Sequence, residues 1–127
     1  MDVEKLRANE RHAVSIDVLV DAEGTPLSAR VTDMSSKGIG VQSLKNLQPG
    51  IHVSVAFQIP EEVVLFGVLM WSQHTTLNQL DAYNMGFDIH AIRHQGMLHD
   101  EPSENKALMQ DILARIKEHQ ASEAAGD

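Results

Sequence analysis

The sequence predicts a mainly β fold, a six-stranded antiparallel β-barrel followed by a C-terminal α-helix. Short segments in which apolar side chains recur at every second position follow one another between turn sequences up to about residue 90. Beyond Pro102 the apolar spacing changes to that of a helix. The length of 127 residues suits one domain, and a barrel leaves no exposed strand edge. Together these observations favour a small barrel with one helix.

The first three strands follow from alternation and turn chemistry. Every second side chain is apolar over Val14–Val20, which predicts a strand with one face on a core. The polar, glycine-containing stretch Asp21–Pro26 predicts a turn, so Leu27–Met34 would pair back as a hairpin. After a turn at Ser35–Gly38, a third strand is predicted over Ile39–Leu44.

Three more strands complete the predicted barrel. Ile51–Ile59 alternates cleanly, and the nearly continuous apolar run Val63–Trp71 predicts a fifth strand that extends to His74. The polar stretch Thr75–Asp81 is interpreted as a loop, and the sixth strand is expected over Ala82–His90. No helical periodicity interrupts the series.

The C-terminal part predicts one amphipathic helix. Met109, Ile112, Leu113 and Ile116 have the spacing of a single helix face, which we expect to dock on the barrel. Ser103 is placed to cap its N-terminus, and Asp111 and Arg115 are spaced as an i,i+4 ion pair. The expected organisation is a flexible N-terminal segment 1–12, a barrel 13–92, a linker 93–102, the helix 103–120 and a tail 121–127.

Composition excludes several functions. The net charge of −8 opposes binding to a nucleic acid polymer or to an anionic membrane surface. The absence of Cys excludes a thiolate nucleophile and a Cys-based metal site. No apolar run is long enough for membrane insertion, so a cytoplasmic location is the default expectation. Six of the ten basic residues fall within the first 45 positions, which favours a small anionic ligand there.

The first motif with chemical potential is R-x-x-x-R, formed by Arg7 and Arg11 just before the first strand. A guanidinium is a planar fork of donors that suits a phosphate or the O6 and N7 acceptors of guanine. The alternative is a solvated charged terminus, in which Glu4 and Glu10 pair with the arginines.

The second motif is D-x-S-x-x-G, formed by Asp33, Ser35 and Gly38 between the second and third strands. The carboxylate can accept from the N1–H and N2–H₂ donors of guanine, and the serine can donate and accept. Gly38 is expected to supply a positive φ and to let a ligand approach closely. The alternative is a plain hairpin turn, since Asp, Ser and Gly are usual turn residues.

The two motifs in this order resemble the PilZ domain family over about Leu6–Ile92. The resemblance implies a six-stranded PilZ-type (split) barrel with a helix that binds the second messenger cyclic di-GMP, with no other cofactor. The matching motif positions also imply which residues contact the ligand. The implied ligand contacts are Arg7, Arg11, Asp33, Ser35 and Gly38, with Leu6, Ser36 and Trp71 as possible additional contacts.

Two of these additional positions carry open alternatives. An aromatic residue near Trp71 faces the ligand in some members of the family, whereas a barrel-core position is the alternative for this residue. Leu6 stands where some members have another arginine that stacks on further guanines. A leucine there favours one bound dinucleotide over a stacked pair.

The resulting expectation is a cyclic di-GMP receptor without enzymatic activity. Ligand binding would order the segment Met1–His12, and the signal would pass to a separate protein effector in motility, biofilm or secretion control. A first rival is a PilZ-fold scaffold that acts through protein contacts without ligand. A second rival is an enzyme or a metal-binding module. The sequence offers no nucleophile–base pair for an enzyme, and His90 and His94 are interpreted as surface or packing residues rather than metal ligands.

Overall fold

The structure is a computed structural model that describes residues 11–125, with side chains described for residues 11–120. This part of the chain forms seven strands and one helix. The elements are β1 (His12–Ala22), β2 (Thr25–Met34), β3 (Gly38–Ser43), β4 (His52–Gln58), β5 (Glu62–Leu77), β6 (Leu80–His94), β7 (Met97–His99) and α1 (Pro102–Ala125).

The strands form one antiparallel sheet that closes on itself. Their order is β3-β2-β1-β4-β5-β6-β7, and β3 also pairs with β6. This pairing joins the first strand of that order to the sixth, so β1 to β6 form a ring. The predicted fold class is therefore confirmed, and β7 lies beside the end of β6, outside the ring.

The β5–β6 hairpin is longer than the sequence suggests. The stretch Thr75–Asp81, interpreted as a loop, is mostly strand, because pairing continues to Leu77 and Leu80. Only Asn78 and Gln79 form the turn, with φ of 51° and 67°. Two successive residues of positive φ give a tight turn whose twist matches the strands it joins.

The predicted linker 93–102 also differs in the structure. β6 continues to His94, and Met97 pairs back with it to begin β7. The turn between them contains Gln95 and Gly96, with φ of 54° and 76°. A two-residue turn with a glycine thus adds a strand where the sequence lacks a long alternating pattern.

The helix is confirmed with shifted ends. α1 begins at Pro102, so Ser103 lies inside the first turn rather than at the cap. Proline suits the first helical position because its missing N–H would have no partner there. The helix runs on to Ala125, through most of the predicted tail.

The core is mainly aliphatic and continuous between barrel and helix. Inward residues of the barrel, such as Val20, Leu65 and Ile92, are fully buried. The predicted helix face docks as expected, since Met109, Ile112 and Ile116 are at most 2% exposed. Asp111 and Arg115 pair at 3.1 Å. Within the described residues, α1 is too polar to span a membrane.

Three bulges occur close to the residues that the motifs single out. The register shifts between Ala13 and Ile16 in β1 and between Val31 and Asp33 in β2. A third shift lies between Leu69 and Trp71 in β5. A bulge redirects side chains at the rim of a barrel and often borders a functional site.

Candidate functional site

An open cavity of about 260 Å³ lies beside the β2–β3 turn. The start of β1, the β2–β3 turn, the middle of β5 and the middle of β6 form its walls. It is lined by Arg11, Ser35, Lys37, Gly38, Met70, Trp71, Gly86, Phe87 and Asp88.

The described parts of the two motifs meet at this cavity. The guanidinium of Arg11 donates to Asp33 Oδ1 and forms an ion pair with it. The pairing of β1 with β2 sets this contact, since Ala13 lies opposite Asp33. The two side chains are 47% and 35% exposed, so the pair is open to a ligand.

Gly40 supports the carboxylate of Asp33. A Cβ at Gly40 would stand 2.8 Å from Asp33 Cγ, which shows that the carboxylate lies directly over this glycine. Gly40 was not among the residues predicted from the sequence. A glycine inside an apolar strand is the signal that could have indicated this close approach.

Ser35 holds the β2–β3 turn together. Its hydroxyl accepts from the backbone N–H of Lys37 at 3.3 Å and of Gly38 at 3.2 Å, and it donates to the Gly38 carbonyl at 3.4 Å. The residue is only 6% exposed. Ser35 thus makes the hydrogen bonds that a plain hairpin turn would have, and it also lines the cavity. Its neighbour Ser36 is half-buried and lines a second cavity beside this one.

Gly38 is required for a reason other than the expected one. Its φ is not positive, which corrects the expectation from the sequence. Instead, a Cβ there would collide with the backbone carbonyl of Phe87. Gly38 pairs with Asp88 where β3 joins β6. It therefore permits close approach of two strands at the wall of the cavity.

Trp71 is not a residue of the barrel core. Its side chain is 46% exposed and lines the cavity. The indole lies against Gly86, because a Cβ at that position would collide with Trp71 Nε1. Gly86 is opposite Trp71 in the β5–β6 pairing, next to the bulge. It is a second glycine whose importance the sequence analysis missed.

Leu6 and Arg7 lie outside the described residues, as does most of the segment 1–12 that was expected to order on ligand binding. Of the two motif arginines, the structure therefore places Arg11 alone.

The described charges near the cavity balance. Arg11 and Lys37 carry positive charge, whereas Asp33 and Asp88 carry negative charge. Asp88 and Lys37 are both exposed. Within the described residues no three His, Asp or Glu side chains are grouped to hold a metal ion.

Comparison with known proteins identifies the family of the chain. The family model described as PilZ domain matches residues 5–97, most of the chain. The chain belongs to the PilZ domain family. The matched range includes both motifs and the whole ring of strands.

Solved structures share the fold. The PilZ domain of YcgR from Escherichia coli, a structure with c-di-GMP, superposes with a TM-score of 0.64 at 15% identity, covering 94% of this chain and 96% of that one. MrkH from K. pneumonia in its apo state superposes with a TM-score of 0.62 at 13% identity, covering 90% of this chain and 52% of that one. The Bacillus subtilis inhibitor of motility MotI/DgrA superposes with a TM-score of 0.54 at 15% identity, covering 84% of this chain and 49% of that one.

The matched structures differ in how much of their own length the chain covers. The chain spans about half of the MrkH and MotI chains and nearly all of the YcgR domain. At such low identity the likeness shows the fold alone. No curated protein matches the sequence.

Proposed function

We propose that this PilZ domain is a receptor for cyclic di-GMP that acts on a separate protein effector. The observation that carries the proposal is the contact between Arg11 and Asp33. It joins the second arginine of R-x-x-x-R to the aspartate of D-x-S-x-x-G beside an exposed cavity that Arg11, Ser35 and Gly38 line. The c-di-GMP in the structure of the YcgR PilZ domain, which shares the fold, supports the same ligand class here.

Arg11 and Asp33 have complementary chemistry for guanine. The guanidinium offers donors to guanine O6 and N7 or to a phosphate. The carboxylate offers acceptors to guanine N1–H and N2–H₂. Their ion pair holds each side chain near the cavity, and because both are partly exposed, exchanging this contact for ligand contacts costs little.

A further cation is needed for a ligand with two phosphates, because the described charges around the cavity cancel. Arg7, four residues before Arg11, is the proposed source. Under this proposal, Arg7 and Arg11 neutralise the phosphates, and Asp33 selects the base. Ser35 and Gly38 keep the turn in the shape that the ligand contacts.

Trp71 provides a flat apolar surface at the same cavity. The indole is exposed and lies against Gly86, so it does not fill the barrel core. It can therefore stack on a purine without leaving a cavity behind. We therefore propose Trp71 as a ligand contact, in agreement with the position that the family resemblance implies. Ser36 and Leu6 remain proposed peripheral contacts.

The proposed function involves no catalytic step. A receptor of this kind transmits a signal through the surface that ligand binding creates, and a cytoplasmic effector protein would recognise that surface. Control of motility is one candidate process, since the fold is shared with a protein described as an inhibitor of motility. Biofilm and secretion control are the other candidates.

The test is calorimetric titration with cyclic di-GMP of the wild-type protein and of two arginine variants. Arg11→Ala should weaken binding by about 2 kcal/mol or more, because charge-assisted bonds to the ligand are lost. The matched control is Arg30→Ala. Arg30 forms another exposed cross-strand pair, with Asp17 at 3.1 Å, but lies outside both motifs and outside this cavity.

Equal binding by Arg11→Ala and the wild type would contradict the assignment, as would an equal loss in both variants. Cyclic di-AMP serves as the second ligand. It should bind at least roughly 1,000-fold more weakly, because adenine leaves the Asp33 carboxylate without donors. Equal binding of the two dinucleotides would leave only an unspecific anion site, which favours the scaffold alternative.

A further inference from the structure

The far half of the β5–β6 hairpin extends beyond the ring of strands as a two-stranded arm. β4 pairs with β5 only as far as Val68, and β3 pairs with β6 only as far as Tyr83. Two further backbone bonds join Leu69 to the β3–β4 loop. Among the described residues, residues 71–77 of β5 therefore pair with β6 alone, and their other side is an unpaired strand edge.

The hairpin turn shows which backbone groups point to this edge. Leu77 and Leu80 flank the two-residue turn, and residues in that position exchange backbone hydrogen bonds with each other. Successive residues of a strand direct their N–H and C=O groups to opposite sides. The backbone groups of Ser72, His74 and Thr76 therefore point away from β6, towards the unpaired edge.

The β5 edge lacks the features that usually prevent strands of two molecules from pairing. Such edges are commonly protected by lysine, by proline or by a covering segment. Residues 71–77 contain no Lys and no Pro. The β3–β4 loop contacts the arm at Ser72, whose Oγ donates to Asn46 Oδ1 at 2.7 Å, but this is a bond between side chains. The backbone edge is therefore available to a further strand.

This edge matches a second copy of itself in antiparallel register. With His74 on the two-fold axis, Ser72 lies opposite the partner subunit's Thr76, so all the outward backbone groups meet a partner. Trp71 then lies opposite the partner subunit's Leu77, on the same face of the sheet. Both are exposed apolar side chains, at 46% and 41%. The register thus pairs the backbone groups and covers apolar surface together.

Charge also permits a second copy at this edge. Two chains that each carry a net charge of −8 repel one another, so a shared surface must keep acidic groups apart. Residues 71–77 contain no Asp, Glu, Lys or Arg. Asp81, the acidic residue of the arm, lies on β6, and its carboxylate contacts His74 Nε2 at 2.8 Å. Pairing of two β5 edges therefore places no two carboxylates opposite each other.

We propose that two copies of this chain pair through residues 71–77 of β5, so that their two arms form one four-stranded sheet. The partner subunit's Leu77 then lies beside Trp71, at the rim of the candidate cavity. One strand edge buries less than the roughly 800 Å² per partner of a standard interface, so the dissociation constant should be on the order of 100 µM. The inference does not depend on binding of cyclic di-GMP.

The test combines sedimentation equilibrium with amide exchange measured by NMR, both on the unliganded protein. The chain should be mainly monomeric at about 10 µM and mainly dimeric at about 1 mM. The amides of Ser72, His74 and Thr76 should exchange more slowly in the concentrated sample. The amides of Gln73 and Thr75, which already bond to β6, should change less.

Four variants make the comparison specific. Thr76→Pro removes an N–H that points to the partner but none that points to β6, so dimerisation should weaken at least about 10-fold in a folded barrel. Thr76→Val, its control, keeps that N–H and should dimerise like the wild type. Leu77→Ser should also weaken dimerisation. Leu98→Ser, its control, changes a leucine that is 60% exposed on β7 and should have no effect.

The proposal is overturned by any of three results. A chain that stays monomeric at about 1 mM would have an edge that does not pair with itself, which leaves that edge to an extended segment of another protein. Dimerisation lost in Leu98→Ser but kept in Leu77→Ser would place the contact at β7. Equal weakening in Thr76→Pro and Thr76→Val would show that the contact uses the side chain and not the backbone.

Discussion

The β1–β2 turn and the β2–β3 turn use glycine for opposite reasons. In the first, Gly24 has a φ of 93°, a Cβ there would meet no atom within 4 Å, and its N–H donates to Asp21 Oδ1 at 2.7 Å. In the second, Gly38 has no positive φ, but a Cβ would collide with Phe87. Gly24 is needed for backbone conformation, whereas Gly38 is needed for space.

The difference shows what the candidate binding site would require of a turn. The β1–β2 turn connects two neighbouring strands, and any residue that tolerates positive φ can serve there. The β2–β3 turn brings a serine and a closely paired strand to one cavity, beside the ion pair of Arg11 and Asp33. Glycines that create space beside functional groups are thus distinguished from glycines that only complete a turn.

The largest effect is expected from Gly38→Ala. The added methyl group meets the Phe87 carbonyl, so β3 and β6 must separate where the barrel closes. We expect a loss of about 3 kcal/mol in the free energy of unfolding, at the upper end for an overpacked site. Chemical denaturation measures it. Wild-type stability in this variant would show that the β3–β6 contact adapts to the methyl group.

An intermediate effect, on binding rather than on stability, is expected from Gly40→Ala. The methyl group would displace the carboxylate of Asp33, which is the end of a movable side chain. The barrel should remain within about 1 kcal/mol of wild type, because a side chain can move more cheaply than backbone. Affinity for cyclic di-GMP should fall about 10-fold in calorimetry. A variant with unchanged affinity would remove Asp33 from the ligand contacts.

The smallest effect is expected from Gly24→Ala. Only the positive φ opposes the substitution, so the cost should be about 1 kcal/mol in unfolding free energy. Binding of cyclic di-GMP should not change, since the β1–β2 turn does not line the candidate cavity. Loss of affinity in Gly24→Ala comparable with that in Gly40→Ala would abolish the distinction between the two turns.

The pattern of apolar residues in the sequence was sufficient to predict the strands of the ring and the docked helix face. It could not predict β7 or the full β5–β6 hairpin, because their pairing depends on tight turns of positive φ at Gln95–Gly96 and Asn78–Gln79. Asn and Gly at these turns were the available signals.

The site could be predicted only in part. The motif residues indicated where chemistry would occur, and Arg11 and Asp33 do meet. Their contact depends on strand register, which no spacing between motifs specifies. Gly40 and Gly86 act through what packs against them, Asp33 and Trp71, so their importance follows from tertiary contacts rather than from local sequence.

Trp71 is the only tryptophan of the chain, and it lies at the candidate cavity. All indole emission of this protein therefore comes from one half-exposed ring beside the motif residues. A purine that stacked on this ring would remove water from it and so change its emission. The protein thus carries an intrinsic optical reporter, through which occupation of the cavity can be followed in unlabelled protein and on the timescale of mixing.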